Sequence, residues 1–289
     1  MDHPSKLSFS VDLEDWYHGV ELRFSDWDNH ASRIEKGLMP LLDLLSEHDQ
    51  HATFFTLGWI AEHHPQIISE IAARGHELAS HGYSHDKVYD LAPQQFREEV
   101  RTTKTLLEDL SGKPCVAYRA PFFSITAQSL WALHILAEEG YTIDCSISPV
   151  KTWRYGISTC PDHVFYVPEA GIAEFPVSSF RALRRDWSVG GAYIRLLPYV
   201  TTRRGIRQRI QASKETMFYI HPWEYDPAHP RVEMERKAKL THYARLGTTE
   251  PCTRRLLNDF SFRTVSELVH SLGAERPLPH VSTSALHGG

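Results

Sequence analysis

Two short segments of the 289-residue chain combine carboxylates and histidines in a pattern that suits a metal centre. Asp12, Glu14 and Asp15 follow directly on an apolar run, and His81 and His85 lie four residues apart in the segment HGYSH. A spacing of four residues allows two imidazoles to reach one metal from a single helical face or a compact turn. One carboxylate and two histidines are three protein ligands, which leave a coordination position open for water. The two segments together predict a metal centre that activates water.

The residues alone leave open which of the three acids is the ligand. Side chains alternate along a strand, so Asp12 and Glu14 should point to one side and Asp15 to the other. This alternation does not choose between the first two acids. A solvated loop with a carboxylate that caps a helix is the simplest alternative for this segment.

Three further polar residues close predicted strands: Arg119 in the segment YRAP, Asp144 after a short apolar run, and His221 at the start of HPWE. An arginine beside a carboxylate lowers the pKa of that carboxylate and fixes its orientation. A histidine near a carboxylate such as Asp144 can titrate near neutral pH and donate a proton. Taken singly, Arg119 also fits a surface ion pair, and His221 also fits a purely structural role.

Strands and helices alternate through the first half of the chain, and the second half is less regular. Apolar runs predict strands directly before the polar groups, and apolar residues at helical spacing predict helices between them. Such alternation is typical of parallel βα units, whose reactive groups collect where the strands end. We therefore expect an α/β fold, a barrel of parallel strands with outer helices. The predicted strands are 7–11, 51–57, 77–80, 115–118, 141–145, 163–167, 172–177 and 217–221, and the predicted helices are 32–48, 65–74, 93–110, 126–139, 193–214 and 231–246, followed by a strand–helix unit at 262–272.

Composition and charge narrow the class of protein. Hydrophobic residues make up 42% and charged residues 23% of the chain, which is ordinary for a soluble globular protein. The formal net charge of -5 argues against a nucleic-acid partner bound through a broadly basic surface. No stretch is long and apolar enough to span a membrane, and residues 1–8 lack the apolar region of a secretory signal. We therefore expect a cytoplasmic protein without a transmembrane segment.

A single domain is expected, because neither a repeat nor a Pro/Gly-rich linker interrupts the pattern. We predict this domain over residues 1–275 and a flexible tail over residues 276–289. The four cysteines are widely separated along the chain. We expect buried thiols, since the spacing fits neither a zinc ribbon nor a dense disulfide framework.

A local cluster of arginines precedes and occupies the predicted helix at 193–214. A solvated helix face is the ordinary interpretation of such a cluster. The second interpretation is peripheral docking on anionic lipid, or on a lipid-linked glycan, at the inner face of the membrane. The cluster consists of Arg184, Arg185, Arg203, Arg204, Arg207 and Arg209.

The motifs, taken in their order along the chain, resemble those of the NodB-homology polysaccharide deacetylases of carbohydrate esterase family four. They are a strand followed by DxED, then HGxSH, YRAP, a strand that ends in an aspartate, and YIHPWE, and they cover about residues 7–269. The segment SVGGAYIRLLPY at 188–199 and the HPWE motif resemble the branch associated with bacterial exopolysaccharide and exosortase loci. The resemblance implies a distorted (β/α) barrel with fewer strands than a full eight-fold barrel.

The resemblance also implies roles for the site residues. Asp12 would be the general base held by Arg119, and His221 would be the general acid, with Asp144 completing the catalytic set. Glu14, His81 and His85 would hold a divalent metal, with zinc expected first and cobalt, iron, nickel or manganese as alternatives.

Two positions depart from the family pattern. Many family members carry two adjacent aspartates, base then ligand, whereas Leu13 follows Asp12 here, so Glu14 is favoured as the ligand and Asp15 is the alternative. Phe122 stands where many relatives have a tyrosine, so an oxyanion contact there must come from a backbone N–H.

The resemblance implies a metal-dependent hydrolase that removes N-acetyl groups from N-acetylhexosamine units. Its substrate would be a polysaccharide or a lipid-linked glycan, in exopolysaccharide biosynthesis. One alternative is a related amidohydrolase that acts on a small cyclic ureide, and another is a catalytically dead glycan-binding module. A two-His-one-carboxylate iron oxygenase is a third alternative, but that site usually occurs in an all-β jelly roll, unlike the alternating pattern here.

Overall fold

The computed structural model describes residues 5–20, 22–152, 154–182 and 184–287. The strands in these residues are β1 (Leu7–Leu13), β2 (Thr53–Thr56), β3 (Glu77–Ser80), β4 (Ala117–Tyr118), β5 (Ile143–Asp144), β6 (Phe165–Val167), β7 (Ile172–Glu174), β8 (Ser179–Ala182), β9 (Arg185–Ser188) and β10 (Thr216–Ile220). The α-helices are α1 (Ile34–Glu47), α2 (Gly58–His63), α3 (Pro65–Ala73), α4 (Pro93–Ser111), α5 (Trp131–Glu138), α6 (Tyr193–Leu196), α7 (Tyr199–Gln211), α8 (Arg236–Tyr243), α9 (Thr249–Asp259), α10 (Val265–Glu275) and α11 (Thr283–His287).

Eight of the strands form one curled sheet, in the order β10-β1-β2-β3-β4-β5-β7-β6. Neighbouring strands are parallel throughout this sheet except for β6 and β7, which run antiparallel. Helices between the strands surround the sheet, as right-handed crossover connections of parallel strands require. The distorted (β/α) barrel of parallel strands with outer helices is therefore confirmed.

Alternation along β1 separates an apolar outer face from a polar inner face. Val11 and Leu13 join the large apolar core beneath the helices. Ser10 and Asp12, which point the other way, both contact the guanidinium of Arg119 inside the barrel. Because side chains alternate with a period of two, one strand thus supplies core residues and site residues at once.

Helix α10 closes the end of the barrel at which the strands begin. The backbone N–H of Val265 donates to Thr53 Oγ1 at 2.8 Å, and that of Ser266 donates to Glu77 Oε2 at 3.3 Å. Both acceptors lie at the first residue of their strands, β2 and β3. A capping box between Thr264 and Glu267 starts the helix. The open end of the barrel is therefore the one at which the strands end.

The second half of the chain differs most from the prediction. The helix predicted over 193–214 is split into α6 and α7, because Pro198 lacks a backbone N–H and cannot continue the first helix. The antiparallel hairpin of β8 and β9 and the helix α9 were not predicted. No helix among the described residues is long and apolar enough to cross a bilayer. The cysteines are free, with Cys252 partly exposed and the other three buried.

The expected flexible tail is packed on the domain instead. The backbone N–H of Tyr166 donates to the carbonyl of Pro279, and Val281 N–H donates to the carbonyl of Tyr166. Helix α11 follows and buries Leu286 completely. Strand-like pairing and one apolar anchor thus hold residues 279–287, within the stretch 276–289 for which the sequence predicts a flexible tail. Residues 288 and 289 lie outside the described residues.

Candidate metal centre and catalytic site

Glu14 and the two histidines of HGYSH meet at the open end of the barrel. Glu14 Oε1 lies 3.3 Å from His81 Nε2 and 3.0 Å from His85 Nε2. Potential ligand atoms of the three residues all lie within 4.8 Å of one another, and the three side chains are buried. This is the three-ligand arrangement that the sequence predicts, with Glu14 as its carboxylate.

The hydrogen bonds around this cluster indicate that a cation fits between the three side chains. His81 Nδ1 lies 2.8 Å from the carbonyl oxygen of Arg119 and must donate to it, because a carbonyl only accepts. In its neutral form, His81 would therefore present the lone pair of Nε2 to a carboxylate oxygen. His85 Nε2 also faces Glu14 and is buried without a hydrogen-bond partner. Acceptors that converge in this way are stabilised by a bound metal ion, and the Nδ1 contact is the kind that orients a ligating histidine.

The protonation of Glu14 is consistent with a ligand. Burial raises the pKa of Glu14, but the neighbouring imidazoles of His85, His221 and His81 outweigh it and hold the pKa well below its usual value. The carboxyl group is therefore ionised at neutral pH, as metal ligation requires.

Asp15 has a structural role at the start of α1. Its Oδ2 accepts hydrogen bonds from the backbone N–H of Arg33 at 2.9 Å, the N–H of Ile34 at 3.2 Å and the hydroxyl of Ser32 at 2.6 Å. Its Oδ1 accepts from the backbone N–H of Trp16. Asp15 thus satisfies N–H groups at a helix N-terminus that would otherwise lack partners. The strand alternation predicted this separation of Asp15 from Glu14.

Asp12 is held by a fully buried arginine. Arg119 Nη1 donates to Asp12 Oδ1, and Nη2 donates to Ser10 Oγ at 3.0 Å. The guanidinium lies over the ring of Phe55, 3.9 Å from its centroid. With its charge partner and its stacking partner both fixed, Arg119 restricts Asp12 to one orientation.

His221 faces Asp12 from the neighbouring strand. Its Nε2 lies 3.8 Å from Asp12 Oδ2, and its Nδ1 lies 2.8 Å from Glu224 Oε1. Burial lowers the pKa of His221, but the carboxylates of Glu14, Glu224 and Asp12 together raise it to about 9. A cation bound to Glu14 would offset part of that rise, since it would neutralise the first of these charges.

Asp144 is not the carboxylate beside His221. Ser146 Oγ donates to Asp144 Oδ1 at 2.5 Å and accepts from the backbone N–H of Ala120 at 2.7 Å. This chain of hydrogen bonds holds the loop that follows Arg119. The His221 imidazole pairs instead with the carboxylates of Glu224, at 2.8 Å, and Asp12, at 3.8 Å. The expected pairing of His221 with Asp144 was therefore wrong, and Glu224 takes that place.

A second buried carboxyl group, Glu174, lies against Asp144. Burial raises the pKa of Asp144, and burial together with the charge of Asp144 raises the pKa of Glu174 well above its usual value. Glu174 Oε1 also accepts from the backbone N–H of Ile147 at 3.0 Å. The two acids can share one proton, as closely placed carboxyl groups do. The sequence does not indicate a role for Glu174, because a lone glutamate at a strand end carries no spacing signal.

A cleft opens beside His85. Its volume is about 210 Å³, and aromatic, acidic and basic side chains all line it. Phe122, whose φ of 54° is unusual for a residue with a side chain, places its ring 4.7 Å from the His85 ring. The guanidinium of Arg154 and the ammonium of Lys87 lie over the same ring, at 5.2 and 5.4 Å. The lining residues are His18, Leu22, Arg23, Phe24, Trp27, Ser84, His85, Asp86, Lys87, Asp90 and Phe122.

Family comparison divides the chain into two matched segments. Residues 20–142 match the polysaccharide deacetylase family, and residues 145–270 match a domain of unknown function (DUF3473). The first segment contains His81, His85 and Arg119, and the second contains His221 and Glu224. Asp12 and Glu14 precede both segments.

The chain is similar to curated deacetylases over part of its length. A peptidoglycan-N-acetylglucosamine deacetylase of Bacillus cereus is 36% identical over 93 residues, which are 32% of this chain and 34% of the relative. A chitooligosaccharide deacetylase of Rhizobium leguminosarum bv. trifolii is 27% identical over 135 residues, or 45% of this chain and 60% of the relative. The chain thus spans less than two thirds of these relatives.

Two solved structures share the fold over nearly the whole chain. One is a Mycobacterium smegmatis protein whose name assigns it to the polysaccharide deacetylases, with a TM-score of 0.63, 20% identity and coverage of 97% of this chain and 96% of that one. The other is Puue allantoinase, with a TM-score of 0.58, 16% identity and coverage of 95% and 93%. At these identities the likeness concerns the fold, which both kinds of enzyme share.

Proposed function

We propose that the protein is a metal-dependent polysaccharide N-deacetylase, since residues 20–142 of the chain match the polysaccharide deacetylase family. The observation that carries the proposal is the arrangement at the open end of the barrel. Glu14, His81 and His85 converge on one point, and Asp12 and His221 lie 3.8 Å apart beside it. Metal-assisted hydrolysis of an amide combines such a metal-binding group with a general base and a general acid.

Glu14, His81 and His85 would hold a divalent cation, with zinc expected first. Such a cation supplies a Lewis acid that polarises the acetamide carbonyl and lowers the pKa of the attacking water. Asp12, fixed by Arg119, accepts the proton of that water. A backbone N–H near Phe122 donates to the developing oxyanion. His221 donates its Nε2 proton to the departing nitrogen, which is a poor leaving group without protonation. The products are acetate and a free amino sugar.

The cleft beside His85 supports an N-acetylhexosamine substrate. Its aromatic side chains offer flat apolar faces, and its charged side chains offer hydrogen-bond donors and acceptors for sugar hydroxyls. Both curated relatives named above act, by their names, on polymers or oligomers that contain N-acetylated sugars. Phe24, which is 42% exposed at the cleft, is the aromatic residue best placed to stack on a sugar ring.

An exopolysaccharide role and contact with the inner face of a membrane are finer proposals. The exopolysaccharide role rests on the resemblance of the segment 188–199 and of the HPWE motif to the branch associated with exopolysaccharide and exosortase loci. The second is supported by the outer face of α7, where Arg204 and Arg207 are exposed together with Val200 and Ile210. Arginines beside exposed apolar side chains favour an anionic lipid surface.

The predicted arginine cluster is only partly available for such a contact. Arg209 is buried and donates to the carbonyl oxygens of Ser179, Asp162 and Glu215, and Arg203 is paired with Asp259. Co-sedimentation with vesicles of anionic or zwitterionic lipid tests the contact. Binding to anionic vesicles that Arg204→Glu/Arg207→Glu abolishes is the expected result, and equal binding to both lipids would contradict it.

The function is tested by acetate release from N-acetylated glycans. We expect release that stops on chelation and returns when zinc is added back. Allantoin hydrolysis, measured in parallel, separates the amidohydrolase alternative from the deacetylase. Glycan binding with stoichiometric metal and no acetate release would instead support a non-catalytic binding module and refute the proposal.

A further inference from the structure

We propose that the segment 145–270 supplies the proton-donating half of the active site, and that Glu224 and Arg195 are positioning residues for His221. The inference rests on the proposed deacetylase function, and it assigns a role to the segment whose family match carries none. It follows from contacts made by His221, Glu224, Arg195 and Trp223 and by two glycines, all of which belong to this segment.

Glu224 fixes the orientation of the His221 imidazole. Its Oε1 lies 2.8 Å from His221 Nδ1 and accepts from the His221 backbone N–H at 3.2 Å. An ionised carboxylate only accepts, so the ring must carry its proton on Nδ1 at this contact. Nε2 is then left on the side of Asp12, where the substrate nitrogen would lie. Without Glu224 the ring could rotate or adopt the other tautomer.

Arg195 in turn fixes Glu224. Its Nε donates to Glu224 Oε2 at 2.7 Å, and neither side chain is exposed to solvent. The remaining guanidinium nitrogens donate to the carbonyl oxygens of Ala244 at 2.5 Å and Thr241 at 2.8 Å. These carbonyls lie at the C-terminal end of α8, where the helix dipole favours a cation. Three hydrogen bonds thus fix the guanidinium of Arg195, which in turn restricts the Glu224 carboxylate to one position.

Trp223 links the same turn to the metal ligands. Its ring stacks on the His221 imidazole at a centroid distance of 5.1 Å, and its Nε1 donates to Glu14 Oε2 at 3.3 Å. The turn sits close against α1, because a Cβ at Gly37 would come within 1.9 Å of the carbonyl oxygen of Pro222. One short motif, HPWE, therefore supplies the acid, its carboxylate partner and a contact to the carboxylate ligand.

The segment 188–199 positions Arg195 beside the HPWE turn. Gly190 has a φ of +136°, and a Cβ there would lie 2.1 Å from the carbonyl oxygen of Tyr219 on β10. Gly191 N–H donates to that same carbonyl at 2.7 Å. Two glycines thus allow the chain to approach β10, and Arg195 follows within the next helix, α6. In the segment SVGGAYIR, the glycines thus permit the close approach to β10 and the arginine binds Glu224.

A buried ion pair can also be purely structural, and apolar substitutes for such pairs are often tolerated. The test must therefore separate orientation of His221 from general stability. Glu224→Gln keeps the shape of the side chain but offers one acceptor atom where the carboxylate offers two. Arg195 and His221 then compete for that acceptor. Arg195→Met/Glu224→Gln removes the competitor, so the amide oxygen is free to accept from His221 Nδ1.

Two substrates distinguish the acid from the rest of the site. An N-acetylglucosamine oligomer has an amine leaving group that needs protonation, whereas the phenolate of 4-nitrophenyl acetate leaves without it. We expect Glu224→Gln to lower kcat on the oligomer by about 10²-fold and to change its KM and the ester rate by less than about threefold. Arg195→Met/Glu224→Gln should recover about tenfold of the lost kcat. Zinc content should match the wild type in both variants.

Arg74→Met/Asp43→Asn, which removes an ion pair between α3 and α1, is the matched control and should change neither rate. Wild-type turnover of the oligomer by Glu224→Gln would overturn the inference. Parallel losses on both substrates would also overturn it, because they would indicate a structural role. If the wild type hydrolyses the ester but no N-acetylated glycan, the proposed function fails on its own.

A spectroscopic measurement tests the positioning without turnover. ¹⁵N-histidine NMR of the protein, with and without zinc, reports the tautomer of His221. The signals of His221 are assigned as those that disappear in the His221→Gln variant. The wild type should show a strongly deshielded Nδ1–H proton that Glu224→Gln shifts or removes. A wild-type His221 with its proton on Nε2 and none on Nδ1 would overturn the inference whatever the activity.

Discussion

The hydrogen bond from Trp223 to Glu14 predicts how far metal affinity depends on a residue outside the ligand set. Trp223→Phe removes the indole N–H but keeps an aromatic ring, which can still stack with the rings of His221 and His242. The variant therefore deletes one donor to Glu14 Oε2 with little other change. A free carboxylate oxygen beside the metal would then lose its orientation.

The size of the effect follows from the geometry. A hydrogen bond to a charged group contributes about 1.5–3 kcal/mol to stability. The Nε1–Oε2 distance of 3.3 Å is long for an N–H donor, so we take the lower value. A loss of about 1.5 kcal/mol of binding free energy makes the dissociation constant for zinc about tenfold larger. The estimate lies at the lower end of what substitutions next to metal ligands cost.

Competition between the protein and a chromogenic chelator for zinc measures this constant directly. Trp187→Phe is the control, because Trp187 Nε1 donates to the carbonyl oxygen of Ala182 and not to a ligand. We expect Trp223→Phe to weaken zinc binding about tenfold and Trp187→Phe to leave it within about twofold. Equal affinities for the two variants would refute the idea that Trp223 orients Glu14.

Three further predictions concern the acids at the open end of the barrel. Asp12→Asn should lower acetate release by about 10²–10⁴-fold while zinc still binds, because the base is lost and the ligands remain. Metal analysis and an activity assay of the same sample check this prediction, and near-normal turnover would contradict it. Asp15→Ala should lower the unfolding free energy by about 1–3 kcal/mol in denaturant titrations, since it leaves helix N–H groups without an acceptor. Its zinc affinity should not change, and loss of zinc would move the ligand role from Glu14 to Asp15. Glu174→Gln concerns the pH dependence of stability. The pKa of Glu174 is raised in the folded state, so the wild type loses stability as the pH rises from the usual glutamate value of about 4.3 toward the raised one. The variant should show a smaller loss over that range, because its amide can donate to Asp144 and does not ionise; equal pH profiles from chemical denaturation would contradict it.

The metal-binding half of the site was predictable because its signals are local. Alternation along β1 placed Asp12 with Glu14 and separated Asp15, and the structure has this arrangement. The four-residue spacing of His81 and His85 brought both imidazoles to the same carboxylate. In each case the spacing within one short segment decides which side chains share a face.

The partner of His221 could not be predicted, because it depends on contacts that form only in the folded chain. Asp144 was chosen for its place at a strand end, but its carboxyl group contacts Ser146 and Glu174. Glu224 was visible three residues after His221, yet nothing in that spacing indicates that Arg195 would hold it. The packed tail has the same cause, since only the folded sheet offers Tyr166 as a pairing partner.

The pairing of β1 with β10 has a consequence for biosynthesis. Leu7 lies beside Thr216 and Val11 beside Ile220, and Glu14 is separated from its partner Trp223 by 209 residues. At about 5–20 residues per second, the ribosome needs about 10–40 s to make the intervening chain. Closing so long a loop is also entropically costly and slow. We therefore expect the ligand and base carboxylates to remain without their acid partner until late in translation. A nascent chain that is released early would lack hydrolytic power even with its metal-binding residues complete.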